Sequence, residues 1–486
     1  MLDSSKKIWF YVISLFFVLA NSVLLYNERF ELLGFPVVIL LAYLALFKLD
    51  VLYYIVVFLV PLSINLDDIG VDLGVGIALP TEPLIVGMML IFILKLFYDG
   101  QFDRKVLSHP ISVLLFLQLA WIVMTTIASS DPLISIKFLL SRLWFVSVFY
   151  FLASQFLKTE KNQRQMFWLY GLGFIPVLLY TFVEHSMRGF SQASANWVMN
   201  PFFNDHTSYG ACLAMIFPFL LWQSFSPKIT GAKRIIVISL MLLFALSITL
   251  SYTRAAWVSL IGALGVFVVL KFKIKSWVIW AGIILIGGFL TLKMEDILED
   301  LSRNKQDSSS NLSEHVESIS NVSSDASNLE RLNRWKSAWG MFSDRPVFGY
   351  GPGTYAFEYA PYQQSKDKTI ISTNAGDGGN AHSEYLGPLS EQGALGMVFM
   401  LGFIFVVCVA AVRVYKSNLP KESRMIGLTA FMGLITYYLH GILNNFLDTD
   451  KASALFWGFS VIILILDNKV RDLGTEKISL KSNSNT

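Results

Sequence analysis

Charge is scarce in this chain. Only 15% of its 486 residues are Asp, Glu, Lys or Arg, against 54% hydrophobic residues and a mean hydropathy of +0.56. That balance belongs to a polytopic membrane protein and not to a soluble domain. Cysteine is nearly absent as well. Cys212 and Cys408 both fall inside apolar runs, which argues against a disulfide framework and against a cysteine metal site. No HExxH, GxSxG or Walker pattern occurs. Their absence argues against a zinc peptidase, a serine hydrolase of that type and a nucleotide-driven pump. The net charge of +3 says little; the distribution of charge says more.

Apolar runs are what the chain has in abundance. A span needs about 20 apolar residues. Candidate runs lie near 8–26, 33–47, 49–64, 83–98, 110–128, 135–157, 166–184, 207–225, 234–251, 254–271, 276–293, 386–412, 424–443 and 452–466. Several are short and two are barely separated. The expectation is therefore an all-α polytopic membrane protein with about 12–14 transmembrane helices. The first run follows Lys6 and Lys7 without a small-residue cleavage site after it, and reads as a retained helix. One long polar stretch, 294–385, interrupts the pattern and holds 8 basic and 14 acidic residues. The expected organisation is a transmembrane bundle over 1–293, a loop domain containing short helices over 294–385, membrane helices over 386–466 and a tail over 467–486.

Lys and Arg collect in alternate loops. One set includes Lys6/Lys7, Lys158/Lys161/Arg164, Lys271/Lys273/Lys275 and Arg413/Lys416/Lys421/Arg424. The loops between them hold few: Arg29, Arg188, Arg254, Lys451. The positive-inside rule makes the first set cytoplasmic, with both termini inside and the 294–385 loop outside. Outside a bacterial inner membrane there is no ATP and no nucleotide sugar. Group transfer there needs an already activated donor, for which a polyprenyl diphosphate-linked sugar is the usual one.

Within the loop, residues 302–328 are rich in Ser and Asn and read as a flexible linker. Ser327-Asn328-Leu329-Glu330 looks like a capping box. The helix it opens carries Leu332, Trp335, Trp339 and Phe342 on one face, as expected of a helix in the headgroup layer. Gly349-Tyr350-Gly351-Pro352-Gly353 reads as a tight loop, because no strand precedes it and no Lys-Ser/Thr follows. Asn380 is a plausible N-cap for the next span. His382 would then sit in a helix first turn, where the dipole favours a neutral imidazole able to accept a proton. Glu384 is near enough in sequence to orient it. The plain alternative is an interfacial histidine that caps the helix. Residues 235–270 form a 36-residue apolar run with one charge, Arg254. As one helix it would be roughly 54 Å long, so two spans must meet at Ser251-Tyr252-Thr253-Arg254, on the outer side. An arginine there suits phosphate oxygens; the alternative is a snorkelling side chain. Asn204-Asp205-His206, Asn444-Asn445, Asp448/Asp450 and Glu391 gather at the same level. His206 near Asp205 is weak evidence for metal and better read as a structural hydrogen-bonding pair. His440 reads as a buried polar contact.

Taken together these motifs resemble the O-antigen ligase and polymerase superfamily. The matching residues are Ser251-Tyr252-Thr253-Arg254-Ala255-Ala256-Trp257, the stretch from Arg334-Trp335 through Arg345-Pro346-Val347-Phe348-Gly349-Tyr350-Gly351-Pro352-Gly353-Thr354-Tyr355, and Asn380-Ala381-His382-Ser383-Glu384-Tyr385-Leu386 with Glu391-Gln392-Gly393. The resemblance implies a large periplasmic loop bearing the site of a membrane glycosyltransferase in the bacterial inner membrane. It implies transfer of a glycan from undecaprenyl diphosphate to an acceptor hydroxyl such as lipid A–core, with no cofactor and no required metal. It makes His382, with Glu384, the catalytic pair and places Arg254 at the donor diphosphate with Arg331 and Arg334. His206, Arg345 and Glu391 are supporting candidates. The rivals are an O-antigen polymerase, a protein O-oligosaccharyltransferase and, from another class, a flippase for lipid-linked glycans. A flippase would want charges along the bundle interior, where Lys137 and Arg142 are the main exceptions to their absence.

Overall fold

The computed structural model describes residues 4–66, 70, 76–275, 277, 326–364 and 379–483. The expected span at 276–293 and the linker up to 325 lie outside the described residues, residue 277 apart. The protein is all-α, with one two-residue antiparallel ribbon pairing Ile64 with Leu79 and Asn65 with Ala78. The chain divides into two units, residues 1–55 and 56–486.

The first unit holds α1 (Ser4–Tyr26), α2 (Phe35–Phe47) and the start of α3 (Leu49–Leu59). α2 buries none of its side chains, although nearly all are apolar. A lipid environment removes the penalty that water would impose on them.

The second unit holds α4 (Thr81–Asp99), α5 (Pro110–Ile127), α6 (Pro132–Val146, extended by a π-helical turn to 152), α7 (Glu160–Ser186), α8 (His206–Ser224), α9 (Gly231–Leu250), α10 (Arg254–Lys271), α11 (Ala326–Asp344), the one-turn α12 (Tyr355–Glu358), α13 (Leu386–Lys416), α14 (Lys421–His440) and α15 (Asp450–Asn483). Eight described helices are long and apolar enough to cross a membrane, and three shorter ones are apolar. The 36-residue apolar run does break at 251–253, giving α9 and α10.

Sequence sets many helix starts. Asp131 accepts the Leu133 and Ile134 amides ahead of α6, with Pro132 in the first turn. Asp205 does the same for Thr207 and Ser208 ahead of α8. Short carboxylate side chains answer amides that have no intrahelical acceptor. α14 packs against α8, α10, α13 and α15. α15 is the most enclosed, burying Trp457, Phe459 and Leu464. Its Asp467 gathers His109 (3.0 Å), Arg413 (2.9 Å) and Arg471 (2.9 Å).

α13 is not one continuous helix. Gly393 breaks it with φ 70° and ψ −169°. The break frees carbonyls that must find other donors. Tyr350 N–H donates to Ser390 O (3.1 Å), Gly351 N–H to Glu391 O (2.8 Å), and the Trp121 indole to Gln392 O (2.9 Å). The glycine-rich loop is thus the cover for a helix break. Two glycines are required there: a Cβ at Gly393 would lie 2.1 Å from the Val347 carbonyl oxygen, and one at Gly349 would lie 2.3 Å from the Glu391 carbonyl carbon.

Candidate functional site

α11 settles against the start of α13 through the face bearing Asn333, Arg334, Ser337, Ala338 and Met341, all buried. Ala338 and Met341 share a small core with Tyr355, Tyr359 and Ala381. The aromatic stripe is not the packing face: Trp339 is 59% exposed and lies beside Phe342. Small residues let two backbones approach, which a hydrophobicity pattern alone does not reveal. The helix already includes Ala326, so Ser327 lies within it and is not its N-cap, and Glu330 pairs with Arg334 at 2.8 Å.

The segment 379–385 that carries His382 is held from two sides. Arg334 donates from Nη1 to Asn380 O (3.1 Å) and lies over the Tyr359 ring at 5.0 Å. The Trp335 indole donates to His382 O (3.4 Å). His382 is not in a helix first turn. The helix begins at Leu386, and His382 stands four residues before it in a left-handed turn, φ 48°. Asn380 caps that turn, its Oδ1 accepting the His382 amide at 3.0 Å, while Ser383 Oγ accepts the Tyr385 and Leu386 amides. Asn or His in such a conformation costs less than a branched residue would. The imidazole is neutral for a different reason than a helix dipole. Burial, then the charges of Arg331 and Arg334, push its pKa down to about 3.

Arg331, one turn before Arg334, lies on the same face of the helix, and both act on the His382 ring. Arg331 Nε donates to Leu443 O at 3.3 Å. Burial pushes its guanidinium below the usual arginine range, and the Asp205 carboxylate works in the opposite direction. Arg254 opens α10 within electrostatic reach of Arg331. Thr253, just before it, donates to His206 O at 2.7 Å, which ties α10 to the start of α8. His440 lies close to Arg331 and His206, buried and bonded through Nε2 to Asn444 at 3.1 Å. The structure therefore brings Arg254, Arg331, His206 and His382 to one place.

The other expected residues lie nearby in different settings. Glu384 turns away from the imidazole: its Oε1 accepts from Tyr437 Oη, Phe446 N (2.7 Å) and Leu447 N (3.0 Å). Burial pushes this carboxyl up, opposed by the Tyr437 hydroxyl and Arg142. Glu391 accepts the Tyr355 amide at 3.0 Å and so holds α12. Arg345 is exposed and stacks over Tyr350 at 4.3 Å. Beneath the 380–384 segment is a cavity of about 60 Å³ lined by Arg142, Glu384, Glu391, Asp448, Gln392 and Trp457 among others. It adjoins a wider crevice of about 280 Å³ lined by Glu82, Phe203, Asn204, Asp205, Asp448 and Asp450 among others. Asn380, Asn445 and Asp448 line both. Sequence reasoning missed Tyr437 and Trp121, whose hydrogen bonds fix these loops; nothing local in the chain marks them.

Fold and site define the class: an all-helical polytopic membrane protein with a cationic, histidine-bearing site where a polar loop meets its helices. Residues 239–401, about a third of the chain, match the family described as O-Antigen ligase. The chain is similar in that stretch to O-antigen ligase-like proteins, a family of glycosyltransferase type acting on lipid-linked glycans and glycan acceptors. The matched stretch contains Arg254, Arg331, Arg334, His382, Glu384 and Glu391, while His206 lies outside it. No curated protein matches the chain.

Proposed function

We propose that the protein moves a glycan from undecaprenyl diphosphate to an acceptor hydroxyl, as an O-antigen ligase does onto lipid A–core, at the periplasmic face of the inner membrane. The observation that carries this reading is the meeting of Arg254 and Arg331 beside a neutral His382. A diphosphate carries charge enough to meet both cations, and the guanidinium fork fits its oxygens.

In the reaction, the acceptor oxygen attacks the anomeric carbon from the face opposite the diphosphate. Its proton passes to a His382 ring nitrogen. The bond from the anomeric carbon to the diphosphate oxygen breaks, the electron pair leaves on that oxygen, and configuration inverts. Arg254 and Arg331 stabilise the leaving charge. His382 is a weak base while two arginines face it. Donor binding offsets the Arg331 charge and raises the proton affinity of the ring, so the base strengthens when the substrate is present. Arg334, Glu384 and Glu391 act as positioning residues that hold the 379–385 segment and the loop beneath it.

The test uses purified protein, undecaprenyl diphosphate glycan and lipid A–core. R254A and H382A are expected to lose transfer, with H382A still binding donor. Wild-type turnover by either removes that residue from the mechanism. In cells lacking the protein, loss of all capped core identifies a ligase, and core bearing a single repeat identifies a polymerase. For orientation, a cysteine at Ser309 should react with an external label and one at Ser482 should not; labelling of Ser482 in intact cells overturns the periplasmic site.

A further inference from the structure

The far end of α10 carries a feature that transfer does not use. From Arg254 to Lys271 the helix rises about 25 Å, so Lys271 stands near the opposite face of the bilayer. There α10, α13 and α14 border a pocket of about 1000 Å³ whose lining includes Lys271, Lys273, Lys416, Lys421 and Arg424. Through Lys271 and Met425 it joins an apolar groove of about 640 Å³ between α8, α10 and α14, lined by Trp222, Leu264, Phe267 and Met432 among others.

Basic residues at this end of the bundle are expected, and many do no more than snorkel. Several elsewhere at this end meet carboxylates, and others meet backbone carbonyls, as Arg234 does at Ser226 O and Lys469 at Lys158 O. Arg164 and Lys228 pair with Glu422, each at 2.6 Å. Arg413 and Arg471 pair with Asp467, and Lys105 pairs with Asp472 at 2.7 Å. Among the described residues, none of the five pocket cations has such a partner. Arg424 Nε is buried without any acceptor. Unneutralised cations around a pocket select an anion, and the adjoining apolar groove selects hydrocarbon.

We propose that this pocket and groove bind one anionic phospholipid of the surrounding bilayer. Its phosphate lies among Lys416, Lys421 and Arg424, and an acyl chain occupies the groove. Basic pockets between membrane helices are known to recognise anionic headgroups by this chemistry. A free phosphate would satisfy the cations and leave the groove unfilled, so the lipid is the occupant that answers both halves.

Native mass spectrometry of the full-length protein in detergent tests the proposal, with phosphatidylglycerol, phosphatidylcholine of the same acyl chains, and inorganic phosphate as separate probes. Phosphatidylglycerol should bind more tightly than phosphatidylcholine. K416Q/K421Q/R424Q should erase that preference, a loss of roughly 100-fold for three cations, while K105Q/K228Q keeps it. A second arm uses the unmodified protein: phosphatidylglycerol with brominated acyl chains should quench tryptophan fluorescence more than brominated phosphatidylcholine, and W222F should remove the difference. Equal binding and equal quenching by the two lipids overturn the proposal. So does full displacement of the lipid by inorganic phosphate, which identifies a free-anion site.

Discussion

Two arginines one turn apart on α11 sit in different settings. Arg334 is 5% exposed, paired with Glu330, bonded to Asn380 O and stacked on Tyr359. Arg331, three residues earlier, donates to Leu443 O and lies within electrostatic reach of Arg254 and the histidines, with Asp205 as a nearby carboxylate. A buried ion pair is weak evidence of binding but costly to break. On the proposed reading Arg334 is scaffold, and Arg331 stands with Arg254 at the donor diphosphate.

The largest expected effect tests that division directly. R331A should cut transfer by about 100- to 1000-fold, the loss seen when one transition-state donor is removed, with thermal stability near that of the parent. R334A should instead destabilise the protein by about 3 kcal/mol, because it breaks a buried ion pair and the bond to Asn380 O. Thermal unfolding and kcat/KM on both variants measure the split. A folded, cold-sensitive R331A and a stable R334A defective only in donor affinity would reverse the assignment.

The pH profile sharpens the comparison. The active form of His382 is the neutral one, and its folded pKa of about 3 lies below the ordinary histidine value. In the free protein, protonation therefore begins only far below about 6.5, and kcat/KM should stay level through that value. With donor bound, the diphosphate offsets Arg331, the pKa rises, and the acid limb of kcat should lie at higher pH than that of kcat/KM. Coincident limbs at the ordinary histidine value would mean that the two arginines do not act on the ring. The same depression adds stability that is complete above about 6.5 and is lost as pH falls towards the folded value.

G393A is expected to act next in size. It forces a side chain into a left-handed position against the Val347 carbonyl, at a cost of about 1–3 kcal/mol, and should loosen the 349–355 loop. Protease sensitivity of that loop reads it out. The smallest effect is E384Q, which keeps the Oε1 acceptor for Phe446 and Leu447. It should lower transfer by less than about tenfold, whereas E384A, which strands two buried amides, should cost about 1–3 kcal/mol. A large loss of kcat in stable E384Q would give this carboxylate a part in the chemistry.

Much of the fold was legible in the chain. The apolar runs near 135–157 and 207–225 became α6 and α8, and the lone Arg254 did mark a break between two spans; that Asp205 caps α8, and does not merely pair with His206, came from the structure. The legible properties are local: length and periodicity. The setting of His382 was read less well. Its neutrality was expected, but from a helix dipole that the left-handed turn rules out. The cause is burial plus two arginines 48 and 51 residues away in sequence, which no window along the chain contains.

By itself, then, the sequence determined an all-helical membrane protein and many of its helix ends, because hydropathy, capping and turn preferences act over a few residues. Only tertiary structure decided the setting of each arginine on α11, with Arg334 bonded to the 379–385 segment and Arg331 within reach of Arg254. Glu330 lies four residues before Arg334 and could be seen. Asn380, Tyr359, Leu443 and Asp205 come from remote segments, and the electrostatics of a buried cation depend on whichever of them packing brings within reach.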